Sequence, residues 1–174
     1  MRTLYLLRHA KSSWADPALS DHERPLAPRG RRDAKRIATH LLELGIAPEL
    51  VLCSTAVRTR ETLELLRPAL DAATVELEAA LYAAWAETLL ERLRAVPDER
   101  RSVMLIGHNP GLEDLALMLA SAGPERDRVE EKFPTAALAT LRTPTASWKE
   151  LSPGGAVLAA YVVPKQLGGL DSGP

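Results

Sequence analysis

Residues 3–12 read TLYLLRHAKS, and this stretch decides how the rest of the chain is interpreted. Its apolar part, residues 4–7 (LYLL), is typical of a buried β-strand. The run ends in the polar pair Arg8-His9 and is too short for the apolar core of a signal peptide or for a membrane span. We therefore expect an N-terminal strand that brings two polar side chains to one edge of a sheet.

Short apolar strands followed by amphipathic helices recur along the chain. Residues 34–42 have helical spacing and are followed by Gly45 as a stop signal. Further strands are predicted at 50–53, 74–77 and 102–106. Each is followed by a helix: the first runs to about Leu66, the second covers 87–96, and the third runs from Pro110, capped by Asn109, to about Ala120. Residues 124–132 are a charged connection, and late strands at 136–141 and 157–163 form a hairpin or flank the sheet edge. The pattern predicts an α/β fold, a three-layer α/β/α sandwich with a mostly parallel central sheet.

Length and composition exclude several classes of protein. The 174 residues fit one domain, which we place at residues 1–164, with 165–174 as a flexible tail. A net charge of −1 and only 4% aromatic residues make nucleic acid and membranes unexpected partners. The single cysteine, Cys53, excludes an internal disulfide and indicates a reducing, cytoplasmic location. We expect a monomer.

Chemistry is expected where the parallel strands end, because loops and helix N-termini meet there. Arg8 and His9 end the first strand, Arg58 lies in the first turn of the helix after the second, and His108 ends the fourth. An arginine in a first helical turn is unfavourable by about 0.3–1 kcal/mol unless an anion lies nearby. Together these groups predict a site for a tetrahedral oxyanion, most naturally a phosphoryl group.

Three motifs then resemble a known family. Residues 7–12 (LRHAKS) resemble the Arg-His-Gly signature of the histidine phosphatase superfamily, whose fold is phosphoglycerate-mutase-like, with Ala10 in place of the usual glycine. Residues 54–62 (STAVRTRET) resemble its second motif and residues 107–110 (GHNP) its third. Three motifs in the right order over residues 3 to about 118 form a specific match. The small size and the His-Asn-Pro sequence are most similar to the SixA-like phosphohistidine phosphatase branch.

The resemblance implies a phosphatase that uses neither a metal nor a cofactor. It implies that His9 is the nucleophile, forming a transient phosphohistidine, and that Arg8, Arg58 and His108 bind the phosphoryl oxygens. These roles are physically consistent. A neutral imidazole can attack phosphorus while two guanidinium groups and an imidazolium, that of His108, stabilise charge on the oxygens.

Four more residues are candidates for the same pocket. Lys11 and Ser12 follow the nucleophile and Asn109 follows His108, so all three can donate to phosphate. Related enzymes acting on alkyl phosphates carry an acidic residue near the end of the third strand, where Glu78 is a candidate general acid. The alternation over residues 76–78 (ELE) also fits a strand with one solvated face, which we consider the better interpretation.

The lack of a clear general acid in the sequence favours one class of substrate over another. Expelling an alkoxide requires a proton donor, whereas an imidazole, with a pKa of about 6.5, leaves more readily. We therefore expect phosphohistidine on a protein as the substrate, with a broad small-molecule phosphomonoesterase and a non-catalytic phosphate-binding module as alternatives. No His-Glu-x-x-His metal motif occurs, and the Cys53 to Arg58 spacing is one short of a cysteine phosphatase.

Two features lie outside the motifs. The polar segment 11–28 is long for a loop, which favours a lid or a recognition segment. Residues 24–36 contain six basic side chains and one acidic side chain. This cluster is either a solvated helix face or a rim that steers an acidic phosphoprotein or a phosphate ester to the site. Trp14 is expected to pack against the core, and His22 and His40 are given no role.

Overall fold

Each short apolar run of the sequence forms a β-strand in the computed structural model, which describes residues 1–167. The strands are β1 (Arg2–Arg8), β2 (Leu50–Ser54), β3 (Thr74–Glu78), β4 (Ser102–Gly107), β5 (Leu138–Thr143) and β6 (Val157–Val162), and the helices are α1 (Pro28–Leu44), α2 (Val57–Leu66), α3 (Ala86–Arg94), α4 (Gly111–Leu119) and α5 (Pro124–Glu131). Pro164–Gln166 form a short 3-10 helix, and residues 168–174 of the expected tail lie outside the described residues.

The six strands form one sheet in the order β3-β2-β4-β1-β5-β6. Strands β3, β2, β4 and β1 are parallel to one another. Strand β5 is antiparallel to β1, and β6 is antiparallel to β5. The sheet is therefore mostly parallel, as the sequence predicts, and the two late strands form its antiparallel edge. The carboxyl ends of β1, β2 and β4 lie side by side, which gathers the residues that follow them at one edge.

Side chains alternate between two hydrophobic cores along the central strands. In β1, Leu4 and Leu6 face one core and Leu7 the other, as the two-residue period of a strand requires. Helices α3, α4 and α5 cover the first core and α1 and α2 the second. Both faces of the sheet are thus buried, which confirms the three-layer α/β/α arrangement.

Helix α1 starts at Pro28, six residues before the apolar pattern of residues 34–42 begins. Pro28 occupies its first turn, where a missing N–H costs no hydrogen bond. The predicted stop is confirmed, because Gly45 caps the helix with φ of 64°. Leu42 belongs to the apolar pattern but is 56% exposed, so the buried stripe is narrower than the sequence indicates.

Other elements also differ from the sequence prediction, among them the strand expected at 136–141, which is β5 at Leu138–Thr143. Residues expected as a charged connection form α5, which buries only Val129 and is held by ion pairs one turn apart, such as Arg128 with Glu125. A helix with so little apolar surface has no periodic signal to find. Helix α4 starts at Gly111 rather than Pro110, although the Asn109 side chain still accepts a hydrogen bond from the Glu113 N–H at 3.3 Å.

Within residues 1–167, no helix is long and apolar enough to cross a membrane.

Candidate active site

His9 follows directly on β1 and is held by its backbone at the edge where the parallel strands end. Its N–H donates to the Gly107 carbonyl at 3.1 Å, and the next N–H, of Ala10, donates to Thr62 Oγ1 at 3.1 Å. The ring Nδ1 of His9 lies 2.7 Å from the Ala10 carbonyl. A carbonyl only accepts, so Nδ1 carries the proton and Nε2 keeps the lone pair. The ring nitrogen with a free lone pair is therefore Nε2.

The imidazole of His9 is neutral near pH 7. The side chain is 6% exposed, and burial lowers its pKa to about 3, with His108 and the two arginines Arg58 and Arg8 acting in the same direction. Only a deprotonated ring nitrogen can attack phosphorus. Burial and the neighbouring cationic side chains thus keep the ring of His9 in the form that a nucleophile requires.

His108 follows β4, with its ring centroid 5.3 Å from that of His9. Its Nδ1 lies 3.4 Å from Arg58 Nη2, which can only donate, so Nε2 carries the proton and donates to Ser54 Oγ at 2.8 Å. Burial and the neighbouring Arg58 lower the pKa of His108 to about 4. In the ligand-free site His108 is therefore a neutral imidazole.

Arg58, at the start of α2, is tied to a residue of the long loop. Its Nη1 donates to the Asp21 carbonyl at 2.7 Å and its Nη2 to Asp21 Oδ2 at 3.0 Å. Tyr82 donates to the same carboxylate oxygen, and this bond together with Arg58 holds the pKa of Asp21 far below its usual range. The anion that an arginine in a first helical turn requires is thus supplied partly by the protein itself.

Arg8 and Arg58 nevertheless keep unused donors. Arg8 Nη1 donates to the Phe133 carbonyl at 3.1 Å, but the Nε atoms of Arg8 and Arg58 are buried and have no hydrogen-bond partner among the described residues. A buried unpaired donor is costly and calls for an explanation. Two such guanidinium donors near the neutral imidazole of His9 fit a ligand with several acceptor oxygens.

The other predicted pocket residues are engaged differently. The Lys11 side chain forms no hydrogen bond or ion pair within residues 1–167, so it is available to an anion. Ser12 Oγ accepts from Arg24 Nη1 at 2.8 Å. Asn109 uses both ends of its amide, since Nδ2 donates to the Phe133 carbonyl at 2.9 Å and Oδ1 accepts from the backbone of α4. Ser12 and Asn109 therefore position loops around the site.

Glu78 lies at the end of β3 but faces Arg92. The two side chains form a bidentate ion pair, with Arg92 Nη2 2.6 Å and Nε 2.8 Å from the two carboxylate oxygens. The carboxylate beside Arg8 belongs to a different residue, Glu113, in the first turn of α4. Its Oε2 also lies 3.4 Å from Asn109 Nδ2. The structure thus draws attention to Glu113 rather than Glu78 as the acidic group on the phosphate side.

Sequence reasoning missed several residues that surround the catalytic pair. Tyr82 packs edge-on against both His22 and His108, with ring centroids 4.8 and 5.4 Å apart. His22, which the sequence analysis gives no role, also lies 3.0 Å from Thr55 Oγ1. No motif marks these residues, because the contacts join segments far apart in the chain. Ser54 alone carried a signal, since it ends a strand at the predicted edge.

Other expectations about the loop and the cysteine have clear outcomes. Trp14 is 71% exposed rather than packed into the core, and the Arg24 guanidinium lies 3.5 Å from its ring centroid. Arg24 is itself buried and bonded to Asp21, so it belongs to the loop and not to a solvated rim. Cys53 is buried, and burial raises the pKa of its thiol to about 12, which excludes a thiolate nucleophile.

No group of three or more His, Cys, Asp or Glu side chains within residues 1–167 has the arrangement of a metal site. The chemistry on offer is a neutral imidazole nucleophile, a second imidazole and two guanidinium groups at one sheet edge. This combination suits the binding and transfer of a phosphoryl group, and the class of enzyme that it fits is a phosphatase.

Comparisons with known proteins agree with the geometry. The family model of the histidine phosphatase superfamily, branch 1, matches residues 4–93. An uncharacterized protein of Mycobacterium tuberculosis is 39% identical over 163 residues, covering 91% of this chain and all of that protein. The chain belongs to the histidine phosphatase superfamily.

Solved structures place it more narrowly. A candidate phosphohistidine phosphatase SixA from Nakamurella multipartitia superposes with a TM-score of 0.81 at 32% identity, covering 92% of this chain and 95% of that one. The corresponding protein of Agrobacterium tumefaciens gives a TM-score of 0.78 at 32% identity, covering 93% and 97%. The fold is therefore the phosphoglycerate-mutase-like one, and the chain is most similar to the SixA-like branch.

Proposed function

We propose that this protein is a phosphohistidine phosphatase that works without a metal or a cofactor through a phosphohistidine intermediate on His9. The observation that carries the proposal is the tautomer of His9. Its Nδ1 proton is bound by the Ala10 carbonyl at 2.7 Å, and its pKa of about 3 leaves Nε2 unprotonated. The guanidinium groups of Arg8 and Arg58 lie close enough to His9 to lower its pKa and supply donors suited to phosphoryl oxygens, and the ring of His108 lies 5.3 Å from that of His9.

The reaction has two steps. His9 Nε2 attacks phosphorus, a P–N bond forms, and the bond from phosphorus to the substrate imidazole breaks with its electron pair on the leaving nitrogen. Water then attacks phosphorus, the P–Nε2 bond breaks with its electron pair on Nε2, and the protons of water leave on inorganic phosphate or to solvent, which restores the neutral imidazole of His9. The guanidinium groups of Arg8 and Arg58 offset the negative charge on the equatorial oxygens in both steps.

The carboxylates around the site favour a labile phosphoryl donor. Asp21 is held ionised by Tyr82 and Arg58, so it is a poor proton donor at neutral pH. Glu78 is occupied by Arg92. A leaving imidazole, with a pKa of about 6.5, needs less help from a proton donor than an alkoxide does. The substrate class that this site suits best is phosphohistidine on a protein.

The similar solved structures support the same substrate class, since two candidate SixA phosphohistidine phosphatases share 32% of residues with this chain. A phosphorylated protein is accordingly the partner that we propose. A monomeric, cytoplasmic protein without affinity for nucleic acid stays part of the proposal.

The test is phosphate release in excess EDTA from a phosphohistidine-bearing carrier protein and from p-nitrophenyl and alkyl phosphates, with His9→Ala as the blank. We expect EDTA-insensitive turnover, much faster on phosphohistidine, and its loss in His9→Ala. Faster turnover of alkyl phosphates would instead identify a broad small-molecule phosphomonoesterase. Near-normal activity of His9→Ala would overturn the mechanism.

A further inference from the structure

A basic groove of about 690 Å³ runs along α1 beside the active site. Six basic side chains and two acidic ones line it, a formal excess of four positive charges. The whole chain has a net charge of −1, so this excess is a local feature. The basic groove is lined by Arg29, Arg32, Arg36, Arg128, Lys132 and Lys165.

The positive charges come from two facing walls. On α1, Arg29, Arg32 and Arg36 are three and seven residues apart, which places them on one side of the helix over about 10 Å. The opposite wall is built from the end of α5, where Arg128 and Lys132 are four residues apart, and from the short helix after β6. An extended anionic segment between the walls would meet cations on both sides.

Three of these cations are not neutralised within the protein. Arg36 is paired with Asp33 at 3.1 Å, and Arg128 with Glu125 at 2.7 Å. By contrast, the exposed side chains of Arg32, Lys132 and Lys165 form no ion pair within residues 1–167. Because these three cations have no ion pair with neighbouring side chains, they are available to an anionic partner.

The basic groove and the active site share a wall. Pro134 and Thr135 line the groove, and the residues on either side of them reach the catalytic strand. The Phe133 carbonyl accepts from Arg8 Nη1 at 3.1 Å, and the Ala136 N–H donates to the carbonyl of His9 at 3.0 Å. The start of α1 also packs on the segment after His9, since a Cβ on Gly30 would lie 2.1 Å from the Lys11 carbonyl.

We propose that the basic groove binds an acidic segment of the protein that carries the phosphohistidine, docking its carboxylates while the phosphoryl group enters the active site. This inference rests on the proposed function, for which it names the chemistry of the partner. Nucleic acid fits the groove less well, because Tyr161 is its only aromatic lining residue and is 5% exposed, leaving no surface for stacking bases. Arg24 and Arg31, which the sequence cluster includes, are bonded elsewhere and do not line it.

The test compares two phosphohistidine peptides that differ only in their flanking residues, glutamates in one and glutamines in the other, three to six positions from the phosphohistidine. At roughly 3.3 Å per residue these positions span the length of the α1 wall. Phosphate release is measured at low salt and at 0.5 M salt for the wild type and for Arg32→Glu/Lys132→Glu/Lys165→Glu. Arg101→Glu/Arg142→Glu/Lys149→Glu is the matched control, with three exposed cations at the opposite edge of the sheet.

We expect the wild type to prefer the glutamate peptide by about tenfold in kcat/KM at low salt, mainly through KM, and to lose that preference at high salt. The groove variant should lose the preference and turn over the glutamine peptide at the wild-type rate, while the control variant keeps it. Equal rates of the wild type on both peptides would overturn the basic groove proposal and leave the proposed function intact.

A second readout does not depend on turnover. Binding of both peptides is measured in the His9→Ala background by fluorescence anisotropy, with a single-stranded oligonucleotide of equal charge as competitor. Tighter binding of the glutamate peptide that is lost in the groove variant supports the basic groove proposal even if the wild type hydrolyses no peptide. The absence of hydrolysis by the wild type would by itself contradict the proposed function. An oligonucleotide that binds the basic groove more tightly than the glutamate peptide would show that its partner is nucleic acid.

Discussion

Asp21 accepts two hydrogen bonds from the guanidinium of Arg58, one through its backbone carbonyl at 2.7 Å and one through its carboxylate at 3.0 Å. Asp21 lies in the short 3-10 helix of the long polar segment, whereas Arg58 lies in α2. The conformation of that segment and the orientation of a catalytic arginine are therefore coupled. Any movement of the long polar segment would therefore reach the site through this contact.

Replacing Asp21 by Asn keeps the size of the side chain but removes the charge that orients Arg58. We expect kcat to fall about tenfold, since a charge-assisted hydrogen bond is lost, while KM stays equal or falls because a negative charge near the phosphoryl group disappears. Asp16→Asn, in the same segment, is the control, since its carboxylate accepts from the Ala18 N–H. An Asp21→Asn enzyme with a raised KM and an unchanged kcat would contradict this role.

Ser54 positions the second histidine. Its Oγ accepts from His108 Nε2 at 2.8 Å, which fixes the tautomer in which Nδ1 faces Arg58. In Ser54→Ala the buried Nε2–H loses its partner, so we expect kcat to fall about tenfold and the imidazole nitrogen resonances of His108 to change in NMR spectra. Ser102→Ala, at the opposite end of β4, should change neither quantity. Unchanged resonances of His108 would show that Ser54 is dispensable.

Acid should destabilise the fold through the same two histidines. Their pKa values are about 3 for His9 and about 4 for His108, below the value of about 6.5 in an unfolded chain. Below pH 6.5 the unfolded chain binds protons that the folded protein does not, so folding stability falls with falling pH. Each histidine should cost about 2 kcal/mol between pH 6.5 and 5.

Urea unfolding at the two pH values checks this expectation. His9→Gln should lose about 2 kcal/mol less than the wild type on acidification, whereas His40→Gln, on the surface of α1, should behave like the wild type. NMR titration of the ring protons gives the pKa values directly. A midpoint for His9 near 6 would contradict a neutral nucleophile created by burial.

The sequence was sufficient for the strands and for the sheet edge at which Arg8, His9, Arg58 and His108 lie, and it failed where tertiary contacts decide. The continuous apolar runs of β1, β2 and β4 are typical of a parallel sheet. Arg8, His9 and His108 lie where those strands end, and Arg58 lies at the start of the next helix. The neutral state of His108 in the ligand-free site depends on burial, which no local pattern reports. Asp21 and Tyr82 escaped notice because their roles come from contacts between residues 61 positions apart.

Gly30 is required because of a close approach between α1 and the nucleophile segment. A Cβ at this position would lie 2.1 Å from the Lys11 carbonyl oxygen, which belongs to the backbone and cannot move aside cheaply. We expect Gly30→Ala to destabilise the protein by about 1–3 kcal/mol and to lower activity by displacing the segment after His9. The control is Gly123→Ala, where nothing lies within 4 Å of the added Cβ. Equal unfolding midpoints of the two variants would contradict the packing argument.

The identity of any proton donor is tested by two carboxylates with different surroundings. Glu113 lies beside Arg8 and Asn109, whereas Glu78 is bound to Arg92. If the leaving imidazole needs no strong acid, Glu113→Gln should change phosphohistidine hydrolysis less than threefold but slow any residual hydrolysis of alkyl phosphates at least tenfold. Glu78→Gln should affect neither rate and should instead lower stability through the loss of its ion pair with Arg92, by about 1 kcal/mol at most because that pair is partly exposed. A large loss of phosphohistidine hydrolysis in Glu113→Gln would make Glu113 a general acid and would remove the argument that the site selects its substrate by lacking one.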